Sequence, residues 1–450
     1  MESTLLLPKA HHAHSKRTAT FPKLLVAPTL VSLAILSSLY VVPPLWQFVL
    51  ETTDSFAKPS FPDFSQYQPM RTIAPEELGL NNPDRRVIFF GDVHGNNVAL
   101  SKLLDKVEYD STKDTLIHTG DFLTKGLDSL GTIQHLAALN ASGVRGNHDQ
   151  RVVEWRGWLD WVAGQPGGQE WLELTDDWSK KKMEADKKKK GKKHYLPDGW
   201  KWNDEHRKLA AKLNDVEYNY LRNLPLVIHI PSLHTFAVHA GILPIDPTRS
   251  TTNRRQPLAR APEPEHPSMS LVELRNQQER ALFTDIPQNQ DPWVTLNIRS
   301  LTDDGVVSRS NDENPWSDLW GEVMNRCDGF DVDDDLVGPG QTMRIEGRAE
   351  LKGKPGPLPC HPITVVYGHA ATRGLDLKRW SKGLDSGCAY ERELTAMIVQ
   401  GAVPKHKAQS SEAEAEESLD DEEDDMKKKK PSETVFGAHT KARIVSAPCH

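Results

Sequence analysis

Five short apolar runs constrain this chain more than any other feature. They are VIFFGD (87–92), TLIHTGD (115–121), GVRGNHD (143–149), TFAVHAG (235–241) and TVVYGHA (364–370). Each breaks off at glycine beside histidine, aspartate or asparagine. Helix-like stretches such as NNVALSKLLDKV (96–107) and SLGTIQHLAAL (129–139) lie between several of them. Strands alternating with helices predict an α/β fold. In such folds ligands collect in the loops at the carboxyl ends of strands, where this polar punctuation falls.

The punctuation reads as a metal site. Asp92 and His94 stand two apart at a strand end, so their side chains point the same way. Asp121, Asn147, His239 and His369 each follow a further run, and the flanking glycines let backbone turn sharply and approach closely. Two divalent ions about 3.5–4 Å apart need a shared carboxylate with nitrogen and oxygen ligands on both sides, and Asp121 is the natural bridge. An Asp/His/Asn set suits zinc, manganese, iron or cobalt alike.

The ordered set GDVHG, GDFLTKG, GNHD, VHAG and GHA resembles the calcineurin-like metallophosphoesterases over roughly residues 86–400, with an LDSG stretch (384–387) closing it. The resemblance implies a four-layer αββα fold: two packed mixed sheets flanked by helices, with a two-metal site at the sheet edge. It puts Asp92 and His94 on one metal and Asn147, His239 and His369 on the second, with Asp121 bridging. His148 becomes the general acid toward the leaving group, and a metal-bridging hydroxide the nucleophile. Arg299 in LNIRSL is the candidate phosphate clamp, since a guanidinium matches phosphate oxygens bidentately. Lys125 is a second substrate-binding candidate.

One departure bears on the substrate. Phosphoprotein phosphatases of this superfamily carry GDxxDRG, whereas here Thr124 and Lys125 replace the acid and the arginine. That acid supports the general-acid histidine. Its absence leaves His148 weakly supported and favours a phosphoanhydride, whose leaving group needs a proton less. The lysine variant is similar to relatives of the bacterial symmetrical dinucleoside-tetraphosphatases and, within that branch, to the fungal vacuolar zinc-dependent endopolyphosphatases. The expected substrate is therefore inorganic polyphosphate, and zinc the favoured metal. Dinucleoside polyphosphates or a nucleotide cap are the alternative, followed by phosphoproteins. No nucleic-acid partner is expected. A catalytically dead scaffold is disfavoured because all six ligands are present.

The remaining segments divide the chain. From Leu24 to Leu50 there is no charged residue, and Lys9, Lys16, Arg17 and Lys23 precede it. This predicts a cytosolic basic tail (1–23), a membrane signal-anchor (24–50) and a lumenal catalytic domain, that of a type II vacuolar protein. Residues 51–80, rich in proline and serine, read as a linker before a catalytic domain at 81–400. A helical insertion at about 155–215 contains a lysine tract (179–193) that reads as solvated. Residues 401–432 form an acidic and lysine-rich low-complexity segment, and 433–450 supply a last strand. The four cysteines are too few for a disulfide framework and form no CxxC pair. Cys388 is accordingly expected as a small buried thiol.

Overall fold

The computed structural model describes residues 61–175, 196–266, 268–330, 356–401, 432–438 and 440–450. The predicted membrane helix, the basic tail, most of the low-complexity segment and the lysine tract lie outside the described residues. Among the described residues no helix is long and apolar enough to cross a membrane.

Fifteen short strands, β1 to β15, are described. One six-stranded sheet runs in the order β14 (Glu433–Phe436), β15 (Thr440–Pro448), β13 (Glu393–Gln400), β2 (Arg86–Phe90), β3 (Asp114–His118), β4 (Ser142–Gly143). Strands β2, β3 and β4 are parallel, and β13 and β15 run antiparallel to their neighbours. A second sheet runs β1 (Met70–Thr72), β5 (Val227–Ile230), β6 (Thr235–Val238), β10 (Thr364–Tyr367), β12 (Ser381–Gly383), β11 (Asp376–Leu377) and is also mixed. A small three-stranded ribbon, β7 (Ser300–Leu301), β8 (Val307–Ser308) and β9 (Asn314–Pro315), stands apart.

The apolar runs are continuous because both faces of each strand are covered. In β2, Val87 and Phe89 join Ile228, Ile230, Ala237, Val366 and Met397 in a core between the sheets. The alternate residues Ile88 and Phe90 face outward against helices Asn97–Lys106, Ser129–Ala138 and Asn147–Ala163. In the second sheet Phe236, Val238, Val365 and Tyr367 pack outward against helices Leu271–Thr284 and Trp316–Met324. Period-2 alternation thus feeds two apolar layers per sheet. The result is helix, sheet, sheet, helix, with the carboxyl ends of β2, β3, β6 and β10 leading into one loop cluster.

Two expectations fail. Residues 61–80 are not linker throughout. Met70–Thr72 pairs parallel with β5, Ile73 and Leu78 are buried, and Phe64 packs edge-on to Trp161. A three-residue edge strand carries too little alternation to be read through flanking prolines. The cysteines are not free thiols either: Cys327 pairs with Cys360 and Cys388 with Cys449. Their separations of 33 and 61 residues carry no spacing signature. Antiparallel register between β13 and β15 sets Glu393 opposite Pro448, and so brings Cys388 and Cys449 together.

Around the expected insertion lie helices Asn147–Ala163, Gly168–Thr175, Glu205–Ala210 and Asp215–Arg222. Trp155, Trp158 and Trp171 of the first two helices interlock with Trp200 and Trp202 of the turn before the third, at centroid distances of 4.3–6.4 Å. The C-terminal segment returns as β14 and β15.

Candidate metal centre

Asp92 and His94 leave the end of β2, Asp121 the end of β3, His239 the end of β6 and His369 the end of β10. Asn147 and His148 open the helix after β4. All six expected ligands converge. Ligand atoms of Asp92, His94 and Asp121 lie within 4.8 Å of one another, as do those of Asp121, His239 and His369. Asp121 belongs to both sets. Its Oδ2 lies 3.7 Å from His94 Nε2 and 3.5 Å from His239 Nε2. His239 Nε2 is also 3.1 Å from Asn147 Oδ1 and 3.0 Å from His369 Nδ1.

Backbone geometry was shaped for this convergence. His94, Asp121, Thr124, Lys125 and His369 all hold left-handed φ values, +47° to +67°. Side chains of this kind rarely adopt them, and such strain clusters at functional sites. Close approach demands glycine twice: a Cβ on Gly146 would collide with the Asp121 carboxylate, and one on Gly368 with the Asp92 carboxylate. His94 Nδ1 donates to the Leu123 carbonyl (3.2 Å) and His239 Nδ1 to that of Thr119 (2.9 Å). Both rings therefore turn an unprotonated Nε2 inward, and the carbonyl each Nδ1–H holds fixes the ring as metal-binding imidazoles require.

The electrostatics call for cations. Burial drives His94 down to about 3 and also lowers His239 and His369, so these rings are neutral ligands. Burial, then the charges of Asp385 and Asp121, pushes the Asp92 carboxyl well above its usual range. Asp385, in the LDSG turn after β12, is pushed up to about 6 by burial and by Asp121. Burial also pushes Asp121 up, whereas any positive charge on His239, His148, His94 or His369 draws that carboxyl below the ordinary range. Ionising three buried carboxyls beside neutral imidazoles would leave uncompensated negative charge, which burial penalises unless a cation pairs with it. The donor set and the shared Asp121 fit two divalent ions.

A pH dependence follows. A carboxyl raised in the folded state favours its protonated form. Asp385 therefore stabilises the metal-free fold below its ordinary pKa of 3.8, and that contribution is lost as pH rises through about 6. Bound cations remove this loss, and below pH 6 they must displace the carboxyl proton. We expect the metal-induced rise in melting temperature to be larger at pH 7 than at pH 5, measured by calorimetry on stripped and reloaded protein. An equal rise at both would show that the carboxyls are not linked to metal.

The other expected residues also reach the centre. Lys125 Nζ is 3.1 Å from His94 Nε2. Arg299 is half-buried beside the second triad, and its Nη2 donates to the His369 carbonyl at 3.3 Å. His148 is not weakly supported as the loss of the acid at 124 suggested: its Nδ1 lies 2.9 Å from Thr124 Oγ1 and 3.0 Å from His206 Nε2. His206 arrives from the helical insertion, which no linear motif marks.

Three further contributors escaped sequence reading. Asp149 is buried and accepts from the backbone N–H groups of Gly146 (3.0 Å) and Leu123 (3.3 Å), clamping the GNHD turn to the loop after β3. It is the last letter of GNHD, so the signal was present. Arg309 and Arg373 gather around Arg299, which donates to the Arg309 carbonyl (3.1 Å) while Arg373 donates to the Arg299 carbonyl. They come from separate segments and had no signal.

Fold and site together define a metallophosphoesterase. The calcineurin-like phosphoesterase family matches residues 85–296. The chain is 34% identical over 331 residues to "Bis(5'-nucleosyl)-tetraphosphatase, symmetrical" of Shewanella baltica, covering 68% of this chain and 92% of that protein. It is 26% identical over 328 residues to the same-named protein of Aeromonas salmonicida, again 68% and 92%. A shorter match, 38% over 72 residues, is to "Serine/threonine-protein phosphatase 1" of Salmonella typhimurium, covering 16% of this chain and 33% of that one. The chain belongs to the calcineurin-like phosphoesterase family. It is a metal-dependent hydrolase of phosphoric esters or anhydrides, homologous to the bacterial symmetrical tetraphosphatases.

Proposed function

We propose that the chain is an endopolyphosphatase that hydrolyses phosphoanhydride bonds within inorganic polyphosphate. The observation that carries this reading is the cluster of cations beside the metal centre. Arg299 donates to the carbonyls of Arg309 and His369, Arg373 donates to the carbonyl of Arg299, the Arg309 charge lies close enough to act on Arg299, and Lys125 stands against His94. A polyphosphate chain bears a negative charge at each phosphorus and no base. Clustered guanidiniums fit its oxygens.

Two divalent ions, when bound, supply Lewis-acid polarisation of the phosphoryl oxygens and activation of water. Asp92, His94, Asp121, Asn147, His239 and His369 hold them. Arg299 and Lys125 bind the phosphoryl oxygens, and His148 delivers a proton to the departing chain. Thr124 no longer argues for an anhydride, because His148 has partners. The anhydride reading is supported instead by the tetraphosphatase names of the relatives.

The same relatives favour a second reading, a dinucleoside-polyphosphate pyrophosphohydrolase. Location in the lumen of a vacuole belongs to the first reading. It is supported by the uncharged stretch 24–50 behind a basic tail and by the pairing of all four cysteines, since disulfides persist in oxidising compartments.

The test uses the full chain, stripped and reloaded with zinc, manganese, cobalt or magnesium. Long-chain polyphosphate, diadenosine tetraphosphate and a phosphoserine peptide are compared, with polyphosphate products sized on gels. Ladders of intermediate length establish internal cleavage and name the metal. Turnover of the dinucleotide alone moves the assignment to the second reading. Turnover of the peptide alone refutes both.

A further inference from the structure

Where an acid is missing at position 124, His148 Nδ1 has two other neighbours, Thr124 and His206. His206 Nδ1 donates to Asp204 Oδ1 at 2.5 Å, which leaves Nε2 of the neutral ring as an acceptor. That nitrogen lies 3.0 Å from His148 Nδ1. The two rings are 24° from coplanar with centroids 5.1 Å apart. This is the geometry of an in-plane N–H···N bond, in which His148 donates. Thr124 Oγ1, at 2.9 Å, shares the same nitrogen, and His148 Nε2 remains for the substrate. Asp204 is fixed in turn. It caps the Glu205–Ala210 helix by accepting from the His206 backbone N–H (3.1 Å), and it accepts from Trp155 Nε1 (3.1 Å). Trp155 is fully buried in the tryptophan cluster, so the dyad is built on a rigid base.

We propose that His206, held by Asp204, is the positioning residue for His148, supplying from the helical insertion the orienting contact that an acid at 124 makes in GDxxDRG sequences. The proposal rests on His148 acting at the leaving group. The dyad would let the enzyme protonate leaving groups poorer than a phosphate chain, and so widens its substrate class toward esters.

Glu205 also lies near: its carboxylate, His148 and His206 offer ligand atoms within 4.8 Å of one another. A third cation held there is the competing explanation of the same cluster, and the experiment separates the two.

The metal-loaded full chain is assayed with 4-nitrophenyl phosphate, whose phenolate leaves readily, and phenyl phosphate, whose phenolate needs a proton. Variants are His206→Ala, Asp204→Asn and His206→Ala with Thr124→Asp. A misplaced catalytic group costs about 100-fold. We expect His206→Ala to lower kcat on phenyl phosphate by about that factor and on 4-nitrophenyl phosphate by less than about tenfold, with KM unchanged in both. Asp204→Asn should follow in the same direction. Adding Thr124→Asp should restore at least about tenfold on phenyl phosphate, which a merely structural lesion would not allow. Metal content should stay at two ions per chain throughout. Equal losses on the two esters, absence of rescue in a folded double variant, or a fall from three ions to two each overturn the proposal. A readout free of turnover accompanies these: ¹⁵N-histidine spectra should show His148 as the Nδ1–H tautomer in wild type and altered in His206→Ala. Unchanged His148 signals overturn the dyad. Failure of the wild type on every phosphate compound refutes the proposed function and leaves the spectra to decide the dyad.

Discussion

Asp121→Asn lowers kcat about a thousand-fold and reduces the bound divalent metal from two ions to at most one per chain. The argument is geometric. Asp121 Oδ2 is the atom common to both ligand triads, 3.7 Å from His94 Nε2 and 3.5 Å from His239 Nε2. Asparagine keeps the shape and can still accept the His148 backbone N–H that Oδ1 accepts at 2.8 Å. It removes the charge that two cations share. Lewis-acid stabilisation is worth several kcal/mol, and each 1.36 kcal/mol is tenfold in rate. The metal-free variant should melt no lower than metal-free wild type, because a buried carboxylate is gone. Elemental analysis with kinetics on the preferred substrate checks the result. Two ions retained with wild-type kcat would dismiss Asp121 as the bridge.

Removing the Cys388–Cys449 disulfide, by replacing both cysteines with alanine, destabilises the fold by about 4 kcal/mol. The bond closes a loop of 61 residues, and the chain-entropy relation gives that magnitude. It also pins the end of β15 beside the loop carrying Asp385, so metal affinity should fall with stability. Guanidinium unfolding of wild type and double variant, each with and without reductant, measures the difference. Reductant should weaken the variant less than wild type, since only Cys327–Cys360 then remains to be cut. Thiol titration is the companion check: native unreduced protein should show no reactive cysteine, Cys388 included. Four titrating thiols would remove both the pairing and the support it lends to an oxidising compartment.

Much of the centre was legible before any fold was known. Asp92, His94, Asp121, Asn147, His239 and His369 sit at the ends of apolar runs, and strand ends in an α/β fold share one edge. Position along the chain therefore maps onto position in space. Lys125 and Arg299 were legible more weakly, through their neighbours. His148 was legible as a residue but not in its surroundings: the sequence shows Thr124 where an acid is missing. It cannot show that Asp204 and His206, more than 50 residues on, fill the gap.

What this sequence determined by itself is whatever depends on local order. Apolar alternation made the strands, glycines made the turns, and strand ends carried the ligands. What only the tertiary structure decided depends on register and on packing between distant segments. Register of β15 on β13 paired Cys388 with Cys449. A three-residue edge strand was recognised only by pairing with β5. Packing of the tryptophan-rich insertion delivered His206 to His148, and three arginines met from separate loops. Side-chain periodicity is written into a few consecutive residues, whereas contacts between remote residues follow from the free energy of the whole chain closing around its cores.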